Sequence, residues 1–508
     1  MQDRSPSLTA SKAKKPFLPP DFVRAMLAGH SALGLAFAAL IYVVCLTGTL
    51  SVFLFEMQRW EQPDAPLVAV TPTPEAVGAA FRSGYAKAVA AGAAHDIFIA
   101  GPQRTPGRFQ VHYDDHEAGI EGEWQANEAG QLVTPVAVPW SEFIARLHMQ
   151  LHLPRSWGLY LVGLTGVALL SSLISGLLSH PRIFKDAFAL RWGGSKRLQE
   201  ADLHNRLGVW GLPFHVVVTV TGALLGLSSI IIGVLALVAY DGDRTKAFAV
   251  LFGQPPGADT TAADVPDIAA MIEKIKAREP EAEFAGAFVQ HLGTKGQLTQ
   301  VLMREPGRIQ MSTAYRFSGD GSELERLDES DRGVGRWILG ALQPLHFGWF
   351  AGLPVKLLYG ILGLALTYVT HSGVAIWIAR RRDKGRPVPG WERAWAAVVW
   401  SQPIAFGTTA MAALVAGEAM LLPTYLATLA GSCVLAWLAR DSAGATRLLR
   451  LAAALVLLAA AALHASKWWG QAIDPMAWYV DIAIVICALV VALPALRGAA
   501  VRTAPQSA

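Results

Sequence analysis

Eight apolar stretches are each long enough, at roughly 17–25 residues, to cross a bilayer as a helix. They run over 33–55, 157–179, 208–239, 357–379, 398–417, 423–439, 449–466 and 478–496. Two long polar inserts, 56–150 and 240–345, interrupt the first four. Inside them the pattern changes. In the first insert a helical period begins at Pro74, and strand-like runs follow at Asp96–Ala100 and Arg108–Tyr113. In the second, Asp264–Lys276 is helical and is followed by strand-like runs at Glu283–Val289, Gln297–Met303 and Ile309–Phe317. A helix followed by a meander suits one helix packed on a small antiparallel sheet. The expected fold class is therefore an α-helical polytopic membrane protein with about eight transmembrane helices. Its first part repeats a helix–outer domain–helix unit, and each outer domain is a small α+β module.

The corresponding division is as follows. Residues 1–56 hold a cytoplasmic tail and the first span, and 57–150 the first outer module. Residues 151–239 hold the second span, a basic loop and the third span. The second outer module is 240–345, the fourth span 346–386, and a separate four-helix module occupies 391–508.

Composition agrees with this picture. Of 508 residues, 53% are hydrophobic and 16% charged, too apolar for an ordinary soluble protein. The net charge of +4 matters less than where the cations lie. They crowd the N-terminal tail (Lys12, Lys14, Lys15, Arg24), the loop 180–206, the run Arg380–Arg386, and 440–450. By the positive-inside rule both termini are expected in the cytoplasm, with both inserts outside. The N-terminus does not read as a cleavable signal, so the first apolar run is expected to be retained. Cys45, Cys433 and Cys487 all fall in expected spans and form no metal or haem-attachment motif.

The two halves repeat in detail. His30 precedes Gly34, Thr47 and Gly48, and His204 precedes Gly208, Thr221 and Gly222 at the same steps. Gly163, Gly166 and Gly176 recur as Gly360, Gly363 and Gly373, and upstream of each set stands a Leu-His pair ending in His148 or His346. Imidazole is costly in lipid, so an intramembrane His is a functional candidate. Several at matched positions suggest a metal-bearing cofactor.

Treating the spans as continuous helices gives a first placement. His204 and His215 would share a face about 16 Å apart along the axis, and His346 and His371 another at about 37 Å. His148 and His152 form an i,i+4 pair. His215 and His371 each lie nine residues from a flanking Arg, about 13 Å inside the cytoplasmic edge. They are the favoured inner clamp for a flat macrocycle. His346 with His148 or His152 would form an outer clamp, with Arg155 and Lys356 placed for propionates. His30 and His204 stay open as the inner ligands instead, as propionate contacts, or as part of a quinol site. Zinc or copper fits less well, because those ions draw carboxylate or thiolate partners close together. Two haem b groups with paired histidines fit better.

The segments around His30-Gly34, Leu147-His148, Leu203–Trp210, Leu345–Gly348 and Ser372–Trp377 resemble the PepSY-associated transmembrane family over residues 20–386. The resemblance implies that both outer modules are PepSY-like periplasmic domains. It also implies a haem-dependent reductase that passes electrons across the membrane to a ferric siderophore or another ferric chelate, releasing Fe(II). No nicotinamide or flavin fingerprint is present, so a quinol or a separate reductase is the expected donor. Nucleic acid is not an expected partner. The competing expectation is a membrane-anchored peptide-binding or protease-inhibiting regulator without redox activity.

Overall fold

The chain folds into a helical membrane part, one sheet domain and a C-terminal helical module. The computed structural model describes residues 18–503, apart from 94, 103–104, 117, 181–183, 185–195, 254, 306–311 and 328–333. Lys12, Lys14, Lys15, much of the basic loop 180–206 and the start of the run at 309 lie outside the described residues.

The first half begins with α1 (Pro20–Ala36), α2 (Ala38–Ser51) and α3 (Leu54–Glu61). After them come α4 (Pro74–Ala91), β1 (Asp96–Ala100), β2 (Phe109–Asp115), β3 (Ile120–Ala126) and β4 (Leu132–Pro135). Helices α5 (Pro139–Gln150) and α6 (Arg155–Ser179) complete it. The second half follows the same order. It starts with α7 (Lys196–Trp210), α8 (Leu212–Gly226), α9 (Ser228–Ala239) and α10 (Arg244–Phe252). Then come α11 (Ile268–Lys276), β5 (Glu283–Gln290), β6 (Leu298–Arg304), β7 (Thr313–Phe317), β8 (Glu323–Leu327), α12 (Val334–Phe347) and α13 (Gly352–Asp383). The C-terminal module is α14 (Pro389–Ala416), α15 (Leu421–Leu438), α16 (Ser442–Trp468) and α17 (Met476–Thr503).

Among the described residues six helices are long and apolar enough to cross a membrane, and two bent pairs raise the number to eight. The chain is thus a multi-pass membrane protein. The bent pairs correct the expected spans. Helices α1 and α2 meet at Phe37 with a bend of 70°, and α7 and α8 meet at Gly211 with a bend of 68°. The expected span 208–239 is further divided at Leu227 between α8 and α9.

The two sheet modules do not stand apart. They form one eight-stranded antiparallel sheet of order β4-β3-β2-β1-β5-β6-β7-β8. The joint is the pairing of equivalent strands, Ile97 with Val289 and Ile99 with Ala287, the self-complementary contact a two-fold relation produces. Helix α4 starts where Thr73 caps the Ala76 amide, with Pro74 in the first turn, and stops at Gly92 in the left-handed conformation. Helix α11 is capped by Asp267. Phe81 from α4 and Ile272 from α11 share one core with Ile97, Val111, Phe284 and Val301. A Cβ at Gly78 would stand 3.2 Å from Ala269 Cβ, so the two helices pack closely over the common sheet.

In the C-terminal module small residues let helices approach, as in other membrane bundles. Gly407 of α14 packs on Val456 of α16. The module is joined to the rest through α3 against α17 and α13 against α14.

Candidate functional site

Four histidines share one local geometry, and each is built the same way. His30 on α1 donates its Nδ1–H to the carbonyl of Ser172, at 2.8 Å. His148 on α5 does the same to Val44, at 3.0 Å. A carbonyl oxygen can only accept, so the proton is fixed on Nδ1 and the lone pair on Nε2. His204 on α7 faces the Val369 carbonyl and the Ser372 hydroxyl, the latter at 3.0 Å. His346 on α12 faces the Val218 carbonyl and the Thr221 hydroxyl, also at 3.0 Å. Each hydroxyl gives its own proton to a backbone carbonyl of its helix, so it too accepts from Nδ1.

Each carbonyl lies four residues before a glycine, and the imidazole lies over that glycine. A Cβ at Gly48 would come within 2.7 Å of His148, and one at Gly222 within 2.8 Å of His346. At Gly176 the distance to His30 is 3.0 Å, and at Gly373 to His204 it is 3.4 Å. The repeated glycines of the sequence are therefore the floors on which the rings rest.

These four rings meet in two pairs. His30 and His204 meet with ring centroids 6.3 Å apart and their planes at 76°. His148 and His346 do so at 6.1 Å, nearly parallel at 20°. Two metal–nitrogen bonds of ~2 Å each, plus the ring radii, span about this distance. A cavity of about 330 Å³ lies between His30 and His204. Its lining is close to two-fold: Gly34 with Gly208, Gly176 with Gly373, and His180 with Trp377 are equivalent in the two halves. The His148–His346 pair lies toward the sheet, since α5 and α12 lead out of the sheet domain.

The favoured sequence pairing is not the one the structure makes. His215 and His371 are not in ring contact among the described residues. His215 packs by Leu362, nine residues along α13 from His371 and so about 13 Å away in rise. His371 accepts a hydrogen bond at Nδ1 from the Trp395 indole, at 3.2 Å, and stacks on that ring. Nor does either proposed continuous helix exist. Gly211 bends the chain between His204 and His215. Between His346 and His371 the chain breaks at Gly348, Ala351 and Gly352, all with positive φ. His148 and His152 do not share a helical face, because Leu151 and His152 are both left-handed (φ 54° and 53°). His152 instead hydrogen-bonds the Phe143 carbonyl at 3.0 Å and stacks on that ring. Lys356 is held by both carboxylate oxygens of Glu56 at 2.6 Å. Arg155 is exposed at the start of α6.

Sequence reasoning missed a buried junction to the C-terminal module. His464 is fully buried between Asp481 and the Trp60 carbonyl, each at 2.8 Å. Trp60 also donates its indole N–H to Asp481 at 2.8 Å. The signal was an acidic residue, Asp481, inside an otherwise apolar helix.

A Pseudomonas aeruginosa protein described as uncharacterized, PA4219, is 31% identical over 264 residues. The similar stretch covers 48% of this chain and 64% of that relative. The model of the PepSY-associated TM region matches residues 27–380, from the middle of α1 almost to the end of α13, with the shared sheet and all four glycine-seated histidines inside it. With the match running over well more than half its length, the chain belongs to the PepSY-associated TM region family.

Proposed function

We propose that this chain carries electrons across the bacterial inner membrane by way of two haem b groups and delivers them, one at a time, to a periplasmic ferric chelate such as a siderophore. The observation that carries the reading is the fourfold arrangement of an imidazole over a glycine, with Nδ1 bonded on the glycine's own helix, to the carbonyl four residues before the glycine for His30 and His148 and to the hydroxyl just before it for His204 and His346. It leaves an Nε2 lone pair on each of four rings, and the rings lie in two pairs. Each pair offers only two protein nitrogens. Among the described residues no three His, Cys, Asp or Glu side chains converge on a metal-sized site, so a planar macrocycle would have to supply the remaining ligands. His30 with His204, and His148 with His346, would hold the two groups.

Haem bound there supplies reversible one-electron transfer, at a potential set by axial ligation, burial and hydrogen bonding. The chain's own residues do the rest. The Nδ1–H bonds fix ring orientation and strengthen Nε2 as a ligand. The glycines bring helices close enough for both rings of a pair to face one site. Arg380, Arg381 and Arg382 end α13, which supports a cytoplasmic position for that end and for both termini, with the sheet domain in the periplasm. The His30–His204 pair then faces the donor, a quinol or a separate reductase. The ferric chelate gains one electron, and the resulting Fe(II) is held far less tightly by hard oxygen ligands.

The purified protein should show a split Soret and α-band on dithionite reduction and yield about two haems per chain as the pyridine haemochrome. Reduced protein freed of dithionite should be reoxidised by a ferric siderophore, with ferrozine capturing Fe(II). A colourless protein from haem-replete cells would favour a non-redox, peptide-binding role. Oxidation by another acceptor but by no ferric chelate would keep the relay and discard the iron assignment.

A further inference from the structure

His215 is a buried imidazole that neither histidine pair uses. It has no exposed surface, and neither ring nitrogen meets a hydrogen-bond partner. The Leu362 carbonyl faces it but falls outside hydrogen-bond geometry. Burying a polar ring without partners costs folding free energy, so a second group is expected to come to it.

Its position says which group. His215 stands 174 residues after Ile41, the same offset that relates His204 to His30 and Thr221 to Thr47. Ile41 lines the cavity between His30 and His204. On α8, His215 lies three residues beyond Leu212, another lining residue, and seven before Gly222, the floor under His346. Spacings of three and seven keep all three on one helix face. The ring also folds back into the α7/α8 elbow, since a Cβ at Gly211 would meet its Cε1 and Nε2 at 2.5 Å. In the first half the elbow residue is Phe37, followed four residues later by Ile41. The second half has exchanged a large elbow residue and an aliphatic chain for a glycine and an imidazole.

We propose that His215 is a third cofactor-facing residue, a tuning contact and not an iron ligand, which meets the buried edge of the group held between His30 and His204. It rests on the haem reading above. It places a polar group next to the pocket, one turn along α8 from the lining residue Leu212, where the other half has the apolar lining residue Ile41. A bis-histidine ferric haem carries a net positive charge that the ferrous form lacks. A polar neighbour favours the charged, oxidised form, and an apolar replacement favours the reduced one.

The experiment is a spectroelectrochemical titration of the full-length, haem-loaded protein bearing His215→Ile, which restores the symmetry with Ile41, and His215→Gln, which keeps a polar group. The Ile variant should retain two haems and move one midpoint upward by about tenfold in the reduced-to-oxidised ratio, ~59 mV for one electron. The other midpoint should stay, and the Gln variant should remain near wild type. Haem-free His215→Ile should also melt above haem-free wild type, because the unpartnered ring is gone. Two unmoved midpoints would overturn the proposal. So would loss of one haem on His215→Ile, which would make the imidazole a ligand. A wild type that takes up no haem fails the underlying reading itself, and the haem count reports that separately.

Discussion

Arg59 grips Asp474 with a two-pronged ion pair, Nε to Oδ2 at 2.6 Å and Nη2 to Oδ1 at 2.7 Å. Asp474 opens the turn into α17, where its carboxylate accepts the Met476 amide, and its own amide donates to the Pro63 carbonyl. Arg108 adds a second cation at 3.5 Å while donating to the carbonyls of Gln62, Ala65 and Pro66. One carboxylate therefore joins α3, the sheet domain and the C-terminal module.

Asp474→Asn should cost about 3–5 kcal/mol, because it leaves two largely buried guanidinium groups without a counter-charge. The measurement is thermal unfolding in detergent, with proteolysis near residue 470 as a second probe. Unchanged melting and unchanged cleavage would show that the joint is held elsewhere. Burial pushes the Asp474 carboxyl up, but the Arg59 bonds and the Met476 amide outweigh it and hold it below the usual range. A depressed carboxyl contributes stability above its unfolded value, about 3.9, and loses it as pH falls through the lower folded value. This joint should thus be insensitive to pH between about 5 and 8 and should loosen only in acid below about 4.

The glycine floors predict a graded series. Alanine at Gly48 or Gly222 places a Cβ within 2.7 or 2.8 Å of a histidine ring, whereas at Gly373 the contact is 3.4 Å. Gly48→Ala and Gly222→Ala should lower occupancy of the sheet-side centre by several-fold, and Gly373→Ala should leave the far centre nearly full. Haem content per chain checks this. Equal losses at all three positions would separate the glycines from ring seating.

The pairing itself predicts which histidines matter. Removing His30 or His204 should abolish the centre far from the sheet and leave the other. Removing His148 or His346 should do the reverse. His371→Ala and His152→Ala should keep both, since those rings are engaged with Trp395 and the Phe143 carbonyl. Difference spectra of each variant decide the matter, and loss of a haem with His371→Ala would restore the pairing expected from helical spacing.

Much of this is legible in the sequence. The spacing of His30, Thr47, Gly176 and their equivalents marked both repeats and put His30, His148, His204 and His346 among the candidates, although the favoured inner pairing was His215 with His371. What failed was the assumption of straight helices. Phe37 carries no sequence mark of a 70° bend, and Gly211 in an apolar run reads as tolerated. The angular argument that joined His204 to His215 holds only along one axis. The break between α12 and α13 was better signalled, by Gly348 and Gly352 around an exposed turn. The shared sheet was not legible at all, because each insert holds a complete helix-and-meander pattern. Nothing in β1 or β5 alone distinguishes an edge strand from a central one. Asp481 was visible but its partners, His464 and Trp60, lie 17 and 421 residues away.

The sheet joint makes the last prediction. Helices α5 and α12 carry His148 and His346, and each leaves its own half of the sheet, so the joint between β1 and β5 is expected to help set the spacing of those two helices. Gly286 sits in that joint opposite Ala100. A Cβ there would stand 2.8 Å from the Ile99 carbonyl oxygen, a backbone atom that cannot swing aside. Gly286→Val should therefore strain the joint by about 1–3 kcal/mol and loosen the His148–His346 pair, while His30 and His204, on helices α1 and α7, stay seated. The expected result is a protein that melts earlier and loses the sheet-side haem first on dilution, with the far haem retained. Equal loss of both centres would mean that Gly286→Val damages the whole fold. Full retention of both, with a lowered melting point, would mean that the sheet joint stabilises the domain without positioning the clamp.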